Sequence, residues 1–292
     1  MRKREAVRTS DGCGRVHGEI RSAGDGMRRE EGADGGVRKE QIAAQLYTLR
    51  EYTQTAEDLD RALARVAGIG YAAVQVSAIG PIDPREVKAS ADRHGLAICA
   101  THVPYARLKD DLDAVIAEHR LWNCRYVGLG MMPRQYYEAG IEGYRMFIRE
   151  ISEAAKRLRD AGLQFVYHNH RMEFAKFGGR TALELLMEET DPDAFHFELD
   201  TYWAQAGGAD PAAWIRRLDG RMKVVHLKDM AVFGDESHFA ELGEGNMNWD
   251  AILDACRGVG MEWYVVEQDV CRRDPFESLA ISWRYLAERA DA

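Results

Sequence analysis

The sequence predicts an α/β protein that folds as a (β/α)8 barrel, the TIM barrel, because two observations agree. From Lys39 onward, short β-branched or aromatic runs alternate with amphipathic segments of helical period. Eight such pairs follow one another in about 250 residues, which matches the barrel in number and in length. An open, doubly wound sheet is the competing arrangement, but no GxGxxG motif follows the first run.

Four strand–helix pairs are predicted in the first half of the barrel. Their strands cover residues 42–47, 71–77, 96–102 and 126–130. The helices that follow read TAEDLDRALARVAGIG, PREVKASADRHG, DLDAVIAEHRLWN and a long segment over about 141–161. In the first helix Thr55 offers an N-cap, and Gly68 and Gly70 end the helix.

The second half repeats the pattern. Its predicted strands cover residues 163–170, 194–200, 222–229 and 263–269. Its predicted helices read TALELLMEE, DPAAWIRRLDG, WDAILDACRGVG and PFESLAISWRYLAERA. The segment LGEGNMNW at residues 242–249 is interpreted as a turn and a helix start, although its glycines are also compatible with an anion-binding nest.

The first 38 residues differ from the rest of the chain. They are rich in glycine, arginine and acids and nearly free of large apolar side chains. Such a segment cannot bury enough surface to offset the entropy that is lost on ordering. We therefore expect a disordered N-terminal extension over residues 1–38 and one barrel domain over residues 39–292.

Composition and charge disfavour several classes of function. Asp and Glu outnumber Lys and Arg by 48 to 39, and the formal charge of −9 argues against nucleic acid and anionic membranes as partners. No apolar run approaches the roughly 20 residues of a membrane span. The five cysteines are scattered without a CxxC pair, which favours a reducing, cytoplasmic compartment over a disulfide framework.

Polar and ionisable residues concentrate where the apolar strands end, which is where TIM barrels carry their chemistry. Burying such groups is costly without partners, and one shared metal ion would serve several of them at once. The strand-end residues are Gln45 or Tyr47, Gln75, His102, His168, His170, Asp200, His226, Lys228, Glu267 and Asp269.

The metal-ligand hypothesis rests on the last three strands together with a histidine pair. His168 and His170 are two residues apart on a strand and therefore point to the same face. Asp200 taken alone would more often cap a turn, and His226 taken alone would be a buried, hydrogen-bonded histidine. Glu267 follows four apolar or aromatic residues, an expensive place for an unpartnered charge. Because they share one rim, they are predicted to bind a metal.

Further strand-end and loop residues are predicted to contact substrate. His102 is interpreted as an acid/base group or a substrate contact, and Gln45, Gln75, Glu173 and Trp203 as substrate-binding residues. Glu173 lies in a loop near the histidine pair, so a solvated carboxylate is the alternative. Four other histidines are interpreted as structural: His94, His119, His196 and His238.

The strand-end motifs resemble those of the sugar phosphate isomerase/epimerase family, the xylose isomerase-like barrels. The resemblance covers residues 39–292 and depends on the order and spacing of several motifs. These are QLYTLRE, YHNHRMEF, ELDTYW, HLKD, LGEGNMNW and VVEQD.

The resemblance implies a metal centre with one departure from the family pattern. The family binds one divalent metal through a Glu, an Asp, a His and a second Glu, and Asp200, His226 and Glu267 match the last three. His168 stands where the first Glu usually lies, and His170 where some relatives carry a catalytic His or Lys. Only Glu267 then remains of the two glutamates with which epimerases exchange protons. The histidine-containing version is similar to inosose dehydratases and keto-sugar lyases.

The expected function is that of a metal-dependent isomerase or epimerase of a small sugar or keto-sugar, and a homo-oligomer is among the expected assembly states. Glu267 or His170 would remove a proton beside the carbonyl, and His102 or Lys228 would act as the acid and oxyanion partner. Mixed nitrogen and oxygen ligands favour Mn²⁺, Co²⁺ or Zn²⁺ over Mg²⁺. The alternatives are a dehydratase of a keto-inositol or keto-sugar and a non-catalytic sugar-binding barrel or subunit.

Overall fold

The computed structural model describes residues 36–290, in which eight parallel strands close into a barrel. The strands are β1 Ile42–Gln45, β2 Ala73–Val76, β3 Ala97–His102, β4 Tyr126–Leu129, β5 Gln164–His168, β6 Phe195–Asp200, β7 Met222–Leu227 and β8 Trp263–Val266. Each strand pairs with its neighbours in sequence, and β1 closes the ring against β8 with Ala43 beside Val265. The predicted fold class is confirmed.

Helices surround the barrel. They are α1 Ala56–Ile69, α2 Pro84–Arg93, α3 Tyr105–Asp110, α4 Leu112–Trp122, α5 Arg134–Glu138, α6 Gly140–Asp160, α7 Ala182–Glu189, α8 Thr201–Ala206, α9 Pro211–Arg217, α10 Trp249–Gly258 and α11 Pro275–Ala290. In the described residues the eight predicted helices occur in the predicted order, with three further short helices, α3, α5 and α8. Local signals set their ends: the Thr55 side chain accepts a hydrogen bond from the Asp58 N–H, and Gly70 ends α1 at a φ of 120°.

Short elements follow several strands where the sequence predicted longer strands. Short 3₁₀ segments cover Lys39–Gln41, Leu46–Tyr52 and Arg171–Phe174, the second with a kink at Leu49. A hairpin of Asp229–Phe233 and Glu236–Ala240 follows β7, and a smaller one joins Lys176–Phe177 to Arg180–Thr181. The strands end earlier than predicted because ladder pairing stops once the chain turns into the loops at the barrel rim.

Small and aliphatic side chains fill the barrel interior below its C-terminal rim. This inner cluster is separate from the larger core between strands and helices, and it consists of Ala43, Ala73, Cys99, Ala100, Tyr126, Val166, Val224 and Val265. Because side chains alternate along a strand, the next inward residue toward each C-terminal end lies directly above this apolar layer. The polar strand-end residues therefore lie on this apolar layer.

The predicted N-terminal extension lies almost entirely outside the described residues. Its last three residues are described, and the Val37 side chain is buried in the core. No helix in the described part of the chain is long and apolar enough to cross a membrane. Cys99, Cys124, Cys256 and Cys271, the four cysteines within residues 36–290, are free thiols.

Candidate active site

The C-terminal ends of seven barrel strands bring together the predicted site residues. Asp200, His226 and Lys228 are fully buried, His168 and Glu267 nearly so, and His102 lies at the edge of the cluster. This convergence follows from parallel strand order, since every β-strand of the barrel ends on the same rim.

Four of these side chains form one possible metal-binding group. His168 on β5, Asp200 on β6, His226 on β7 and Glu267 after β8 each offer a donor atom, and these atoms all lie within 4.8 Å of one another. All four residues are buried. These are the residues predicted as metal ligands.

Two buried atoms of this group have unused bonding capacity. His168 Nδ1 has no hydrogen-bond partner, and Asp200 Oδ2 accepts no hydrogen bond, although it forms an ion pair with Lys228 Nζ at 3.1 Å. Burial raises the pKa of Asp200 to about 6 and lowers that of His168. Orphaned polar atoms are costly in a protein interior, and two imidazoles with two carboxylates form a common donor set for divalent transition metals. The residues present therefore fit a metal ion.

A second glutamate, which the sequence analysis did not assign to the site, lies under this group. Glu198 Oε1 accepts a hydrogen bond from Gln75 at 2.8 Å, and its Oε2 lies 2.5 Å from His102 Nε2 and 3.3 Å from His226 Nε2. Burial opposes its charge, but His226 and His102 lower its pKa to about 2. The period of two places Glu198 on the same face as Asp200, but Glu198 does not line the cavity, so it does not stand in for the missing first glutamate of the family pattern.

His226 connects the two layers of the site. Its Nδ1 lies 3.0 Å from Glu267 Oε2, and its Nε2 lies 2.6 Å from Gln75 Oε1. Burial disfavours a charge on the ring, but the carboxylates of Glu198 and Glu267 raise the pKa of His226 to about 10. Without a metal ion the ring is therefore held as an imidazolium by two carboxylates.

Lys228 is enclosed by carboxylates. Its Nζ lies 2.5 Å from Glu267 Oε2, 2.7 Å from Asp269 Oδ2 and 3.1 Å from Asp200 Oδ2, and the residue is 1% exposed. Burial disfavours the ammonium, yet the three carboxylates raise the pKa of Lys228 above its usual range. This environment favours charge balance over the predicted role as a proton donor.

A cavity of about 650 Å³ opens above the cluster, and His102, His168, His170, Trp203 and Glu267 line it. The His170 ring lies against Trp203, with ring centroids 5.2 Å apart, and its Nδ1 is buried without a partner. Burial lowers the pKa of His170 to about 3, so the ring is neutral. Trp203 Nε1 also lacks a hydrogen-bond partner, which is typical of a group that donates to a bound ligand.

Three residues predicted to bind substrate lie behind the cavity wall. Glu173 is fully buried and accepts hydrogen bonds from the Tyr167 hydroxyl and the His170 N–H, at 2.7 and 2.8 Å. Burial raises its pKa to about 7. Gln45 and Gln75 are also fully buried, with Gln45 Nε2 donating to Gln75 Oε1 at 3.0 Å. The sequence shows that these residues face inward, but their depth keeps them from lining the cavity.

The glycine-containing segment at residues 242–249 wraps a side chain of the protein itself. The Asp229 carboxylate accepts hydrogen bonds from the N–H groups of Gly243, Gly245 and Met247 and from the Trp249 indole. Asn248 then caps α10. The predicted turn and helix start are confirmed, and the nest is occupied by Asp229.

A family model described as Xylose isomerase-like TIM barrel matches residues 63–288, more than half of the chain. The chain belongs to the xylose isomerase-like TIM barrel family. The resemblance inferred from the strand-end motifs is thereby confirmed.

The relatives of this xylose isomerase-like barrel include proteins named as dehydratases and proteins named as isomerase/epimerases. The inosose dehydratase of Lacticaseibacillus casei is 31% identical over 150 residues, covering 44% of this chain and 49% of that protein. The inosose dehydratase of Geobacillus kaustophilus is 27% identical over 206 residues, covering 61% of this chain and 63% of that protein. The chain thus spans between about half and just under two thirds of these curated relatives.

A solved structure gives the second kind of name. A sugar phosphate isomerase/epimerase from Parabacteroides distasonis matches with a TM-score of 0.72 and 24% identity, over 86% of this chain and 95% of that chain. At this identity the likeness concerns the fold.

Proposed function

We propose that this family member is a metal-dependent lyase that dehydrates a small polyhydroxylated ketone such as a keto-inositol or keto-sugar. One observation carries the proposal: of the two glutamates in the cluster, Glu267 lines the cavity beside His102 and His170, whereas Glu198 does not. Two glutamates on opposite sides of a substrate, as a proton-exchanging epimerase uses, are not offered by this arrangement. The sequence alone ranked isomerisation first, and the inosose dehydratase relatives support the change of order.

The metal group sets the electrostatics of the reaction. A divalent ion held by His168, Asp200, His226 and Glu267 would polarise the ketone and stabilise the negative charge that proton removal places on its oxygen. Because Glu267 Oε2 also contacts Lys228 and His226, its carboxylate is committed to charge pairing. The free base must therefore come from another residue.

His170 is the residue placed to remove the proton. Its ring lines the cavity, is neutral, and is held between Trp203 and His168 with centroid distances of 5.2 and 5.0 Å. Glu173 fixes the backbone N–H of His170 at 2.8 Å and so positions the ring. The unprotonated ring can accept a proton, and the carboxylate of Glu267 opposes the lowering of its pKa by burial.

His102 is the residue placed to protonate the leaving hydroxyl. The carboxylate of Glu198 lies 2.5 Å from its Nε2, and this contact orients the ring. Proton removal by His170 forms the carbon–carbon double bond, the β-carbon–oxygen bond breaks, and the proton from His102 makes the leaving group water. Lys228 does not line the cavity, so it balances charge behind the metal group.

Incubation of the purified chain and Mn²⁺ with a panel of keto-inositols and ketoses in D₂O tests the proposal. The expected product has lost one water and shows the ultraviolet absorbance of an enone. His170→Asn should lower kcat by a factor of about 100 or more, the scale of general-base catalysis. His238→Asn is the matched control, because His238 is partly exposed on the hairpin after β7 and does not line the cavity.

Two outcomes would overturn the dehydratase proposal. A product that keeps all of its oxygen atoms and has gained one mass unit through solvent deuterium on carbon would establish isomerisation or epimerisation, the function that the strand-end motifs first suggested. Sugar binding without water loss or deuterium exchange on any ketone would establish a non-catalytic barrel.

A further inference from the structure

The cavity has two chemically different sides. His168, Glu267 and Asp269 lie toward the ends of β5 and β8. The ends of β3 and β4 contribute Val103, Pro104, Tyr105, Leu129 and Met131, and Met172 from the 3₁₀ turn after β5 continues the same surface. We call these six residues the apolar wall. Strand order separates Glu267 and Asp269 from this wall, because β3 and β4 lie across the barrel from β7 and β8, whereas His168 on β5 is next to it.

The apolar wall offers few polar atoms to a ligand. Val103 and Leu129 are aliphatic and buried, and Met131 is 50% exposed at the mouth. The Tyr105 hydroxyl is engaged away from the cavity, at 2.9 Å from the Tyr136 hydroxyl and 3.1 Å from Glu150 Oε2. A polyol lying on this wall would lose hydrogen bonds to water and gain none in return.

The same cavity lacks the features of a phosphate site in the part of the chain that the structure describes. Of its lining residues, Arg171 alone is a lysine or arginine, and its side chain is exposed at the rim. The glycine-containing nest at residues 242–249, which could hold an anion, already binds the carboxylate of Asp229. Phosphate recognition usually needs several converging donors or a free helix N-terminus.

The size of the cavity indicates a ligand larger than one sugar ring. About 650 Å³ falls within the range of pockets that hold drug-sized ligands, which are lined mostly by apolar side chains with a few polar groups. The rings of His102 and His170 lie 5.1 and 5.0 Å from that of His168, so these groups and the metal-binding residues together orient the reacting ring. The remaining space lies against the apolar wall.

We propose that the substrate is an uncharged polyhydroxylated ketone with an apolar substituent of about the size of an aromatic ring, which binds on the apolar wall. This proposal rests on the proposed function, which orients the ketone toward the metal-binding residues. It extends that function by naming a substrate class: glycoside-like or ether-linked keto-sugars with an apolar group, and not sugar phosphates.

Binding measurements test the substrate class without requiring turnover. Isothermal titration of the full chain carrying His170→Asn, with Mn²⁺, compares the phenyl and methyl β-glucosides of 3-keto-D-glucose with D-fructose 6-phosphate. Phenyl in place of methyl should tighten binding roughly tenfold, because the added ring leaves water for an apolar surface. The double variant Met131→Gln, Met172→Gln should remove most of that preference and leave the methyl glucoside unaffected.

The control variant is Met146→Gln, since Met146 is 38% exposed on α6 and does not line the cavity. Equal affinities for phenyl and methyl glucosides would overturn the proposal. Tighter binding of the sugar phosphate that is lost in Arg171→Gln would also overturn it and would identify a phosphate site instead. A phenyl preference together with no water loss from any ketone would reject the proposed function and retain the substrate class.

Discussion

At the scale of single residues, the site is a balance of buried charges. Glu198, Asp200, Glu267 and Asp269 bring four carboxyl groups to the rim, and Lys228 contacts three of them. Its ammonium lies among the donors that would hold a metal ion. The protein thus carries a cation of its own beside the proposed metal site, which limits the repulsion between carboxylates when no metal is bound.

Lys228→Met tests this role of Lys228. Removing the ammonium leaves the carboxylates of Asp200 and Glu267 without compensation, so the metal-free protein should lose about 3 kcal/mol of unfolding free energy. Mn²⁺ should then stabilise the variant more than the wild type, because binding restores the missing charge. Urea unfolding with EDTA and with Mn²⁺ measures both effects.

The matched control for that measurement is Lys223→Met. Lys223 lies at the other end of β7 and donates to the carbonyls of Val259 and Gly260. Equal stability of Lys228→Met and wild type in EDTA would show that the lysine does not balance the carboxylates.

At the scale of elements, one buried histidine joins a helix to a barrel strand. His119 on α4 lies with Nε2 2.8 Å from the Thr101 hydroxyl on β3 and with Nδ1 2.7 Å from the Val115 carbonyl. Burial lowers its pKa to about 4. Both ring nitrogens are used by the packing, which agrees with its prediction as a structural histidine.

Acid should weaken this contact in a defined range of pH. In the unfolded chain His119 becomes protonated near pH 6.5, whereas in the folded chain it stays neutral down to about pH 4. The stability that this contact contributes is therefore present above pH 6.5 and is lost as the pH falls toward 4. Between pH 7 and pH 5 the His119 contribution is about 2 kcal/mol. Urea unfolding of His119→Gln should show a shallower loss between these pH values than wild type, by that amount.

The exposed His238→Gln variant provides the comparison, since His238 is 38% exposed. It should lose stability with acid as the wild type does. Parallel pH profiles for His119→Gln and wild type would contradict the assignment of this loss to His119.

At the scale of the whole molecule, the barrel brings ligands from four strands into one group. Residues as distant in sequence as His168 and Glu267 have donor atoms within 4.8 Å of each other. An ion bound there would link β5, β6, β7 and the end of β8, and its binding free energy would add to the stability of the whole fold.

The metal content of the purified protein tests whether these four residues bind an ion. We expect one divalent ion per chain, with Mn, Co or Zn favoured over Mg by the two imidazoles. Glu267→Ala and His226→Ala should lose the ion and the Mn²⁺-dependent rise in Tm. Glu262→Ala is the control, because Glu262 precedes β8 at the opposite end of the barrel and contacts Tyr126. No ion in the wild type after incubation with Mn²⁺ would reject the metal centre.

The sequence by itself determined the barrel, the order of its elements and the residues at the rim. Hydrophobic periods of 2 and 3.6 residues identify strands and helices, and the C-terminal ends of parallel strands lie on one side of a barrel. His168, Asp200, His226 and Glu267 could therefore be grouped from the sequence alone. The structure places these four side chains within reach of one ion.

Only the tertiary structure decided how deep each inward residue lies. Glu198 and Asp200 share one face of β6, yet Glu198 contacts Gln75 and His102 under the cavity. Glu173 and Gln75 likewise face inward but do not line the cavity, and Lys228 is enclosed by carboxylates. Alternation along a strand specifies the direction of a side chain. Its depth depends on the stagger between neighbouring strands and on the loops above them, which arise from packing across the whole barrel.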